Sequence, residues 1–239
     1  MQEMRRLLIL SLFLTACGAG FAAENQLSDQ HLNQLTQAEK REGWILLFDG
    51  ASLDGWMNPD GSPSRRPAEH GSINAYKSGG YFLVTKTQWE NFIFKADFKI
   101  SKGCNSGIFV RTTPLTAYPG KSLGHNGIEF QIYDSTGTGY HDTGAIYDLV
   151  KPRSQAMRPV GEWNHVVITA DRNIIAVRLN GVEVSRMDLD EFAKPYLRPD
   201  GTRSKFSWAW KDRPRKGHIA LQDHGGDVWF RNIKLKVLD

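Results

Sequence analysis

An all-β fold, a two-sheet antiparallel sandwich of jelly-roll type, follows from three features of this sequence. About a dozen short stretches either alternate apolar and polar residues or run apolar between turn signals. Helical periodicity is almost absent. The connections carry dipeptides such as Asp49-Gly50 and Asn180-Gly181, which close tight turns.

The first residues stand apart. Arg5 and Arg6 precede an apolar run over 7–14 that is too short to cross a bilayer as a helix, so residues 1–16 read as a signal peptide. Leu14-Thr15-Ala16-Cys17 reads as a bacterial lipobox, which would leave Cys17 as a lipidated first residue; cleavage near Gly20-Phe21-Ala22 is the alternative. Both routes export the chain. The lipid would hold it in the cell envelope as a periplasmic lipoprotein. Residues 17–38 are then a lipidated tether and 39–239 a single jelly-roll domain. Thr36-Gln37-Ala38-Glu39 is a capping box, opening a short helix that runs to about Glu42 and stops at Gly43.

From Trp44 on, strands are expected over 44–48, 81–85, 91–100, 106–112, 127–134, 143–149, 163–170, 174–179, 182–186, 217–222 and 228–237. In 91–100 the residues Phe92, Phe94, Ala96, Phe98 and Ile100 share one face. Asp171-Arg172-Asn173 and Asn180-Gly181 are hairpin connections. Three inserts, 58–71, 113–126 and 188–216, are long enough to suggest function. The last carries Phe206, Trp208 and Trp210, expected to cap the domain or rim a site.

Composition narrows the function. The chain has 239 residues, 40% apolar and 23% charged, as a soluble globular domain does. A net charge of +4, with scattered basic residues, gives no footprint for nucleic acid. Two cysteines, Cys17 and Cys104, suggest neither a disulfide framework nor a cysteine zinc site. The seven histidines show no metal-ligand spacing, although His218 and His224 would share a strand face. The Asp134–Asp142 stretch has loose Ca2+-loop character that turn chemistry explains better. No phosphate loop, nucleophile elbow, NAD motif or flavin motif is present, so no cofactor is expected.

The stretch 127–134 holds the most information. Ile128, Phe130 and Ile132 point one way, while Glu129, Gln131 and Tyr133 point the other. An acid, an amide and a phenol in a row read as the floor of a polar cleft or as an ordinary sheet surface. On 105–111, period-2 counting puts Asn105, Phe109 and Arg111 on one face. Gln222 faces away from the core-facing Ile219 and Leu221, with Asp223 and His224 following at the strand end. Asp134 and Tyr147 end two other strands. The convergence of Glu129, Arg111, Gln131, Gln222 and His224 on one face favours a site; a buried Arg111–Glu129 pair that merely holds the sheet is the competing reading.

Seven ordered motifs carry a family resemblance: Gly43-Trp44-x-x-Leu47-Phe48-Asp49-Gly50-x-Ser52-Leu53-x-Gly55-Trp56, Asn105-Ser106-Gly107-Ile108-Phe109-x-Arg111, Gly127-x-Glu129-x-Gln131-x-x-Asp134, Thr143-Gly144-Ala145-Ile146-Tyr147, Gly161-Glu162-Trp163-Asn164, Asn180-Gly181, and Leu221-Gln222-Asp223-His224-Gly225 through Phe230-Arg231-Asn232-Ile233. The chain resembles the 3-keto-disaccharide hydrolase family, long described only as a domain of unknown function, over about 39–237. The resemblance implies a concanavalin-like jelly roll, an exported protein and action on 3-keto-glycosides.

A C3 ketone acidifies the C2 proton of a sugar. A base removes it and the enolate expels the C1 substituent, with or without later hydration. That route needs one base, an oxyanion stabiliser and hydroxyl-binding groups. Glu129 or His224 would be base and acid, and Arg111 and Gln131 would hold the enolate oxygen and hydroxyls. Asn105, Asp134, Tyr147, Gln222 and Asp223 would orient the ring. An ordinary glycosidase wants two facing carboxyls, whereas Glu129 and Asp134 stand at odd spacing; Glu129 with Asp223 stays open as such a pair. A separate sugar 3-dehydrogenase would supply the ketone. The alternatives are a non-catalytic, lectin-like carbohydrate-binding module and an anchored structural protein.

Overall fold

The computed structural model describes residues 32–239, so the expected signal peptide, Cys17 and the tether up to residue 31 lie outside the described residues. Contacts of the domain begin before the capping box. The Asn33 N–H donates to Asn232 Oδ1 at 2.7 Å, and the Asn232 N–H donates back to Asn33 Oδ1 at 2.8 Å. The capping box forms as expected on α1 (Gln37–Arg41), and Gly43 follows with φ 78°. Glu39, reaching back to the Thr36 N–H, also takes Lys234 Nζ at 2.9 Å, which ties the helix to the last strand.

Twelve strands follow among the described residues: β1 (Trp44–Leu46), β2 (Trp56–Met57), β3 (Ile73–Asn74), β4 (Phe82–Thr85), β5 (Phe92–Ile100), β6 (Asn105–Thr112), β7 (Ile128–Tyr133), β8 (Asn164–Asp171), β9 (Ile174–Leu179), β10 (Val182–Asp188), β11 (His218–Gln222) and β12 (Val228–Val237). They build two antiparallel sheets. One has seven strands in the order β1-β12-β5-β8-β9-β10 with β3 beside β12, and the other five in the order β2-β4-β11-β6-β7. The core lies between them. Phe92, Phe94, Ala96, Phe98 and Ile100 of β5 meet Ile108, Ile128, Phe130, Ile132, Ile219 and Leu221 from the facing sheet. The two-sheet antiparallel sandwich is therefore the expected one, and the alternation that predicts it is the alternation that fills its core.

Two expectations fail locally. Residues 143–149 do not form a strand. Gly144 and Asp148 take left-handed backbone, with φ 97° and 58°, and leave only isolated bridges from Ile146 to Phe130 and Val150. The stretch still pairs against the free edge of β7, through Gln131 N–H to the Ala145 carbonyl at 3.0 Å and Tyr147 N–H to the Glu129 carbonyl at 2.9 Å.

Arg111 is the second. His218 pairs with Thr112 but Ala220 pairs with Phe109, so β6 carries one extra residue there. Arg111 sits at this bulge with φ 55°. Gly217 crosses it so closely that a Cβ would lie 2.4 Å from the Arg111 carbonyl carbon. The extra residue ends period-2 counting, and the side chain leaves the Glu129 face. The guanidinium instead donates to the Glu90 carbonyl at 3.1 Å, the Arg172 carbonyl at 2.7 Å and Asn91 Oδ1 at 3.4 Å, joining β6 to the ends of the opposite sheet. The Arg111–Glu129 pair does not form. Replacing Arg111 by Ala strands these buried acceptors and should cost about 2–4 kcal/mol in urea denaturation, with Lys recovering only part because it lacks the planar fork.

Candidate active site

The outer face of the five-stranded sheet is divided in two. On β4, β11 and β6, Phe82, Val84, Ala220 and Phe109 form a second apolar cluster, covered by Met57, Tyr81 and by Leu115 and Leu123 of the insert 113–126. Beside it, on β11, β6 and β7, the same face turns polar: Gln222, Asn105, Gly107, Glu129 and Gln131. The register places Gly107 opposite Gln131 and Phe109 opposite Glu129. Gly107 is the floor beneath the acid, because a Cβ there would lie 2.6 Å from Glu129 Oε1.

Glu129 is 6% exposed. No side chain or backbone N–H among the described residues hydrogen-bonds its carboxyl. Desolvation pushes its pKa up to about 8, and the charge on Lys205 opposes that rise. Lys205 comes from the insert 188–216. Its Nζ lies 4.0 Å over the Tyr147 ring and 5.2 Å over Phe206, without closing an ion pair to Glu129. Desolvation lowers the Lys205 pKa, against the pull of Glu129 and Asp148. Tyr81 and Tyr147 both feel the Glu129 charge, and burial foremost holds their phenols protonated above the usual range.

Amides complete the floor. Gln131 Nε2 donates to Asn105 Oδ1 at 2.9 Å and Gln222 Nε2 to the Tyr81 hydroxyl at 2.5 Å, leaving both Oε1 atoms buried without a partner. Both amides stand on the outer face that carries Glu129, and each keeps one unpaired acceptor. Around them stand aromatic rings. His125 meets Phe206 and Trp208 edge-on at centroid distances of 5.6 and 6.2 Å, and His141 stacks on Tyr147 at 4.6 Å. Burial, then Lys205 and Lys121, lower the His125 pKa. Phe206 and Trp210 are buried in the main core and Trp208 packs against it, so the aromatic insert caps the domain, one of the two roles expected of it, and brings Lys205 beside Tyr147.

The expected residues separate into three groups. Glu129, Gln131, Asn105, Gln222 and Tyr147 gather as expected. His224 is exposed at the end of β11, with its ring 6.1 Å from Tyr81, at the margin of the site. Asp134, Asp223 and Arg111 are occupied elsewhere. Asp134 Oδ2 accepts the Gly103 N–H at 2.8 Å, and Asp223 accepts the N–H groups of Lys77 and Gly225, so both acids hold turns. His218 faces Thr85 O and Gln88 and does not join His224. Cys104 is buried, and desolvation lifts its thiol to about 12. Among the described residues no three His, Cys, Asp or Glu side chains gather as metal ligands. The sequence reading missed Lys205 and Tyr81. The aromatic run 206–210 was the signal for Lys205; nothing marked Tyr81 apart from an ordinary strand start.

The raised Glu129 pKa makes the folded state the better proton binder between the ordinary 4.5 and about 8. Stability from this group is therefore intact below about pH 4.5, falls as pH rises, and levels off above about pH 8. Glu129→Gln removes that loss. Its melting temperature should exceed the wild type's by a margin that widens from about pH 5 to about pH 8.

Comparison with known proteins places this geometry in a family. A curated 3-keto-disaccharide hydrolase of Bacteroides thetaiotaomicron is 28% identical over 233 residues, covering 83% of this chain and 79% of that protein. Two solved Parabacteroides distasonis structures, assigned as glycosyl hydrolases, are similar. One is 31% identical with TM-score 0.70, covering 82% of this chain and 99% of its own. The other is 26% identical with TM-score 0.68, covering 87% and 100%. Residues 43–236 match the 3-keto-alpha-glucoside-1,2-lyase-like domain, and the chain belongs to that family.

Proposed function

We propose that the protein cleaves 3-keto-glycosides, 3-keto-disaccharides among them, by elimination across C1–C2. Ionised Glu129 takes the C2 proton, and the C2–H electrons form an enolate onto the C3 oxygen. That oxygen faces the Lys205 ammonium and the phenol O–H groups of Tyr81 and Tyr147. The enolate then collapses, re-forming the C3 carbonyl and a C1–C2 double bond. The C1–O electrons leave with the aglycone, whose oxygen takes the proton from Glu129. Water adding to C1 makes the outcome hydrolysis; without it the protein is a lyase. Gln131, Gln222 and Asn105 bind ring hydroxyls.

The observation that carries this reading is the buried Glu129 carboxyl, free of protein hydrogen bonds and opposed by a cation that does not touch it. A carbon acid needs one strong base beside a fixed positive field, and that pair supplies both. Glu129 takes the base role over His224 because its pKa is shifted and the imidazole is exposed. Lys205 takes the role expected of Arg111. The lectin-like alternative needs acceptors for hydroxyls but no desolvated acid, and nothing further favours it. A separate sugar 3-dehydrogenase supplies the ketone, and export with a lipid on Cys17 would place the protein in the cell envelope. Cys17→Ser should then move it from the membrane to the soluble fraction; retention in the membrane would exclude the anchor.

The test of the reaction is turnover of a 3-keto-glucoside beside the plain glucoside, with only the ketone consumed. Equal hydrolysis of both would rule out the ketone-dependent route. Glu129→Gln should lose ~10²–10⁴-fold in kcat. In the wild type kcat/KM should rise with pH through about 8, the limb set by Glu129. Lys205→Met removes the charge that lowers the Glu129 pKa, so the limb should move to higher pH, while Lys205→Arg should hold it in place.

A further inference from the structure

We propose that Asp148 and Arg198 are positioning residues that hold Lys205 opposite Glu129. This rests on the keto-glycoside reading and extends it to a clamp outside the reacting groups. The insert that carries Lys205 has little regular structure of its own. Its segment 196–204 closes on itself through the Leu197–Arg203 bridge, Arg198 N–H to the Thr202 carbonyl at 2.9 Å and Ser204 N–H to the Tyr196 carbonyl at 2.8 Å. One guanidinium then fastens it to the turn beside β7. Arg198 Nη2 meets Asp148 Oδ1 at 2.7 Å, its Nε meets the Asp148 carbonyl at 2.9 Å, and Nη1 reaches Thr202 Oγ1 and the Arg203 carbonyl. The guanidinium carbon lies 3.7 Å over the Tyr140 ring.

Asp148 uses its other oxygen on Lys205 itself: Oδ2 accepts the Lys205 N–H at 2.6 Å. The preceding residue, Tyr147, holds the other end of the same lysine beneath its ammonium at 4.0 Å. Two consecutive residues on one turn therefore fix both the backbone and the charge of Lys205. Their turn is bonded in its own right to β7 through Tyr147 N–H and the Glu129 carbonyl. The base and its cation are thus referenced to one short piece of chain.

A buried ion pair is a poor source of net stability, because desolvation offsets most of its attraction. Arg198 and Asp148 have side chains only 7% and 10% exposed. Their use is geometric, since a bidentate fork to a carboxyl and its own carbonyl admits one arrangement. The charged and titratable groups around Lys205 are Glu129 on β7, Tyr147 and Asp148 on the turn, Arg198 on the insert, and His125 on the facing insert, where His125 in turn feels Lys121. His141 adds a contact to Asp148 Oδ1 at 3.3 Å.

The experiment is a double-mutant cycle on the full chain, with a 3-keto-glucoside as substrate. Asp148→Asn alone should lower kcat roughly tenfold, leave KM within about twofold and move the pH limb upward, because the cation that lowers the Glu129 pKa is no longer held. In a Lys205→Met background the same change should do almost nothing to kcat or to the limb. Equal losses in both backgrounds, or a lowered melting temperature with an unmoved limb, would overturn the proposal. Should Asp148→Asn fail to fold, Arg198→Lys serves in its place: it keeps the charge and loses the fork, and a loss that persists without Lys205 counts against the clamp. If the wild type does not turn over the keto substrate, the functional reading itself falls and this proposal with it. Turnover with additive variants sinks the clamp alone.

Discussion

Everything at the polar face depends on burying one acid almost completely without giving its carboxyl a hydrogen bond. Three acids are buried among the described residues: Asp97, Glu129 and Asp148. Asp97 takes His165 Nδ1 at 2.8 Å and Asn232 Nδ2 at 2.7 Å. Asp148 takes Arg198, the Lys205 N–H and His141. Glu129 takes nothing. An acid kept for structure is satisfied in this molecule, as buried polar groups generally are. Glu129 is held in an environment that disfavours its charge, which is costly to the fold and useful to a base. That contrast favours the site over the fixture, the two readings that the sequence leaves open.

The surroundings make this isolation possible. Gly107 lacks the Cβ that would collide with the Glu129 carboxyl where it now lies. The insert 113–126 lays Leu115 and Leu123 over the apolar half of the sheet, and Gly124 lets the Tyr81 hydroxyl approach to within 3.1 Å of where its Cβ would stand. The insert 188–216 closes the other side with Lys205, Phe206 and Trp208. Arg213 joins the two inserts: its Nη2 donates to the Thr113 and Asn126 carbonyls at 2.6 and 3.0 Å, while its guanidinium carbon lies 4.6 Å over Trp208. These bonds tie the base of the insert 113–126 to the end of the insert 188–216, and the sheet beneath remains a rigid reference for the groups they bring.

How much of this could be read in advance follows from physical periodicity. The faces of β5, β7 and β11 obey a period of two over their whole length, so Glu129, Gln131 and Gln222 were legible as neighbours on the outer face. Arg111 was misplaced by the same rule, since a single extra residue in β6 reverses the count and a bulge leaves no mark in composition. Asp134 and Asp223 look like site acids because they end informative strands. Strand ends are also where short acids accept turn N–H groups, and here that use prevails. Lys205 was beyond reach for a different reason. It belongs to an irregular insert whose position is set by a tertiary contact, Arg198 with Asp148, that has a sequence separation of 50 residues. Periodicity carries no information about such a contact. Only the density of aromatic residues, Phe206, Trp208 and Trp210, signalled that the insert returns to the domain.

The opposition of Glu129 and Lys205 across a gap has an energetic logic that an ion pair would lack. Were the two in contact, the carboxylate would be stabilised and its pKa depressed, making a weak base. Were the lysine absent, desolvation would push the Glu129 pKa further above about 8, with nothing to receive the charge it passes on. In the proposed elimination, with the cation held at a distance, proton abstraction would create no new charge at the site; it would move one negative charge from the Glu129 oxygens to the C3 oxygen of the sugar. The attraction of Lys205 is present before and after, shifted from one partner to the other. A fixed ammonium beside neutral phenols therefore needs no reorganisation as the enolate develops, and preorganisation of that kind is where most electrostatic catalysis originates. The requirement is one of geometry, because the ammonium must stay near both oxygens at once. A loop left to itself would not meet it, and that is the use the proposed Arg198–Asp148 clamp would have at a position that touches neither proposed reacting group.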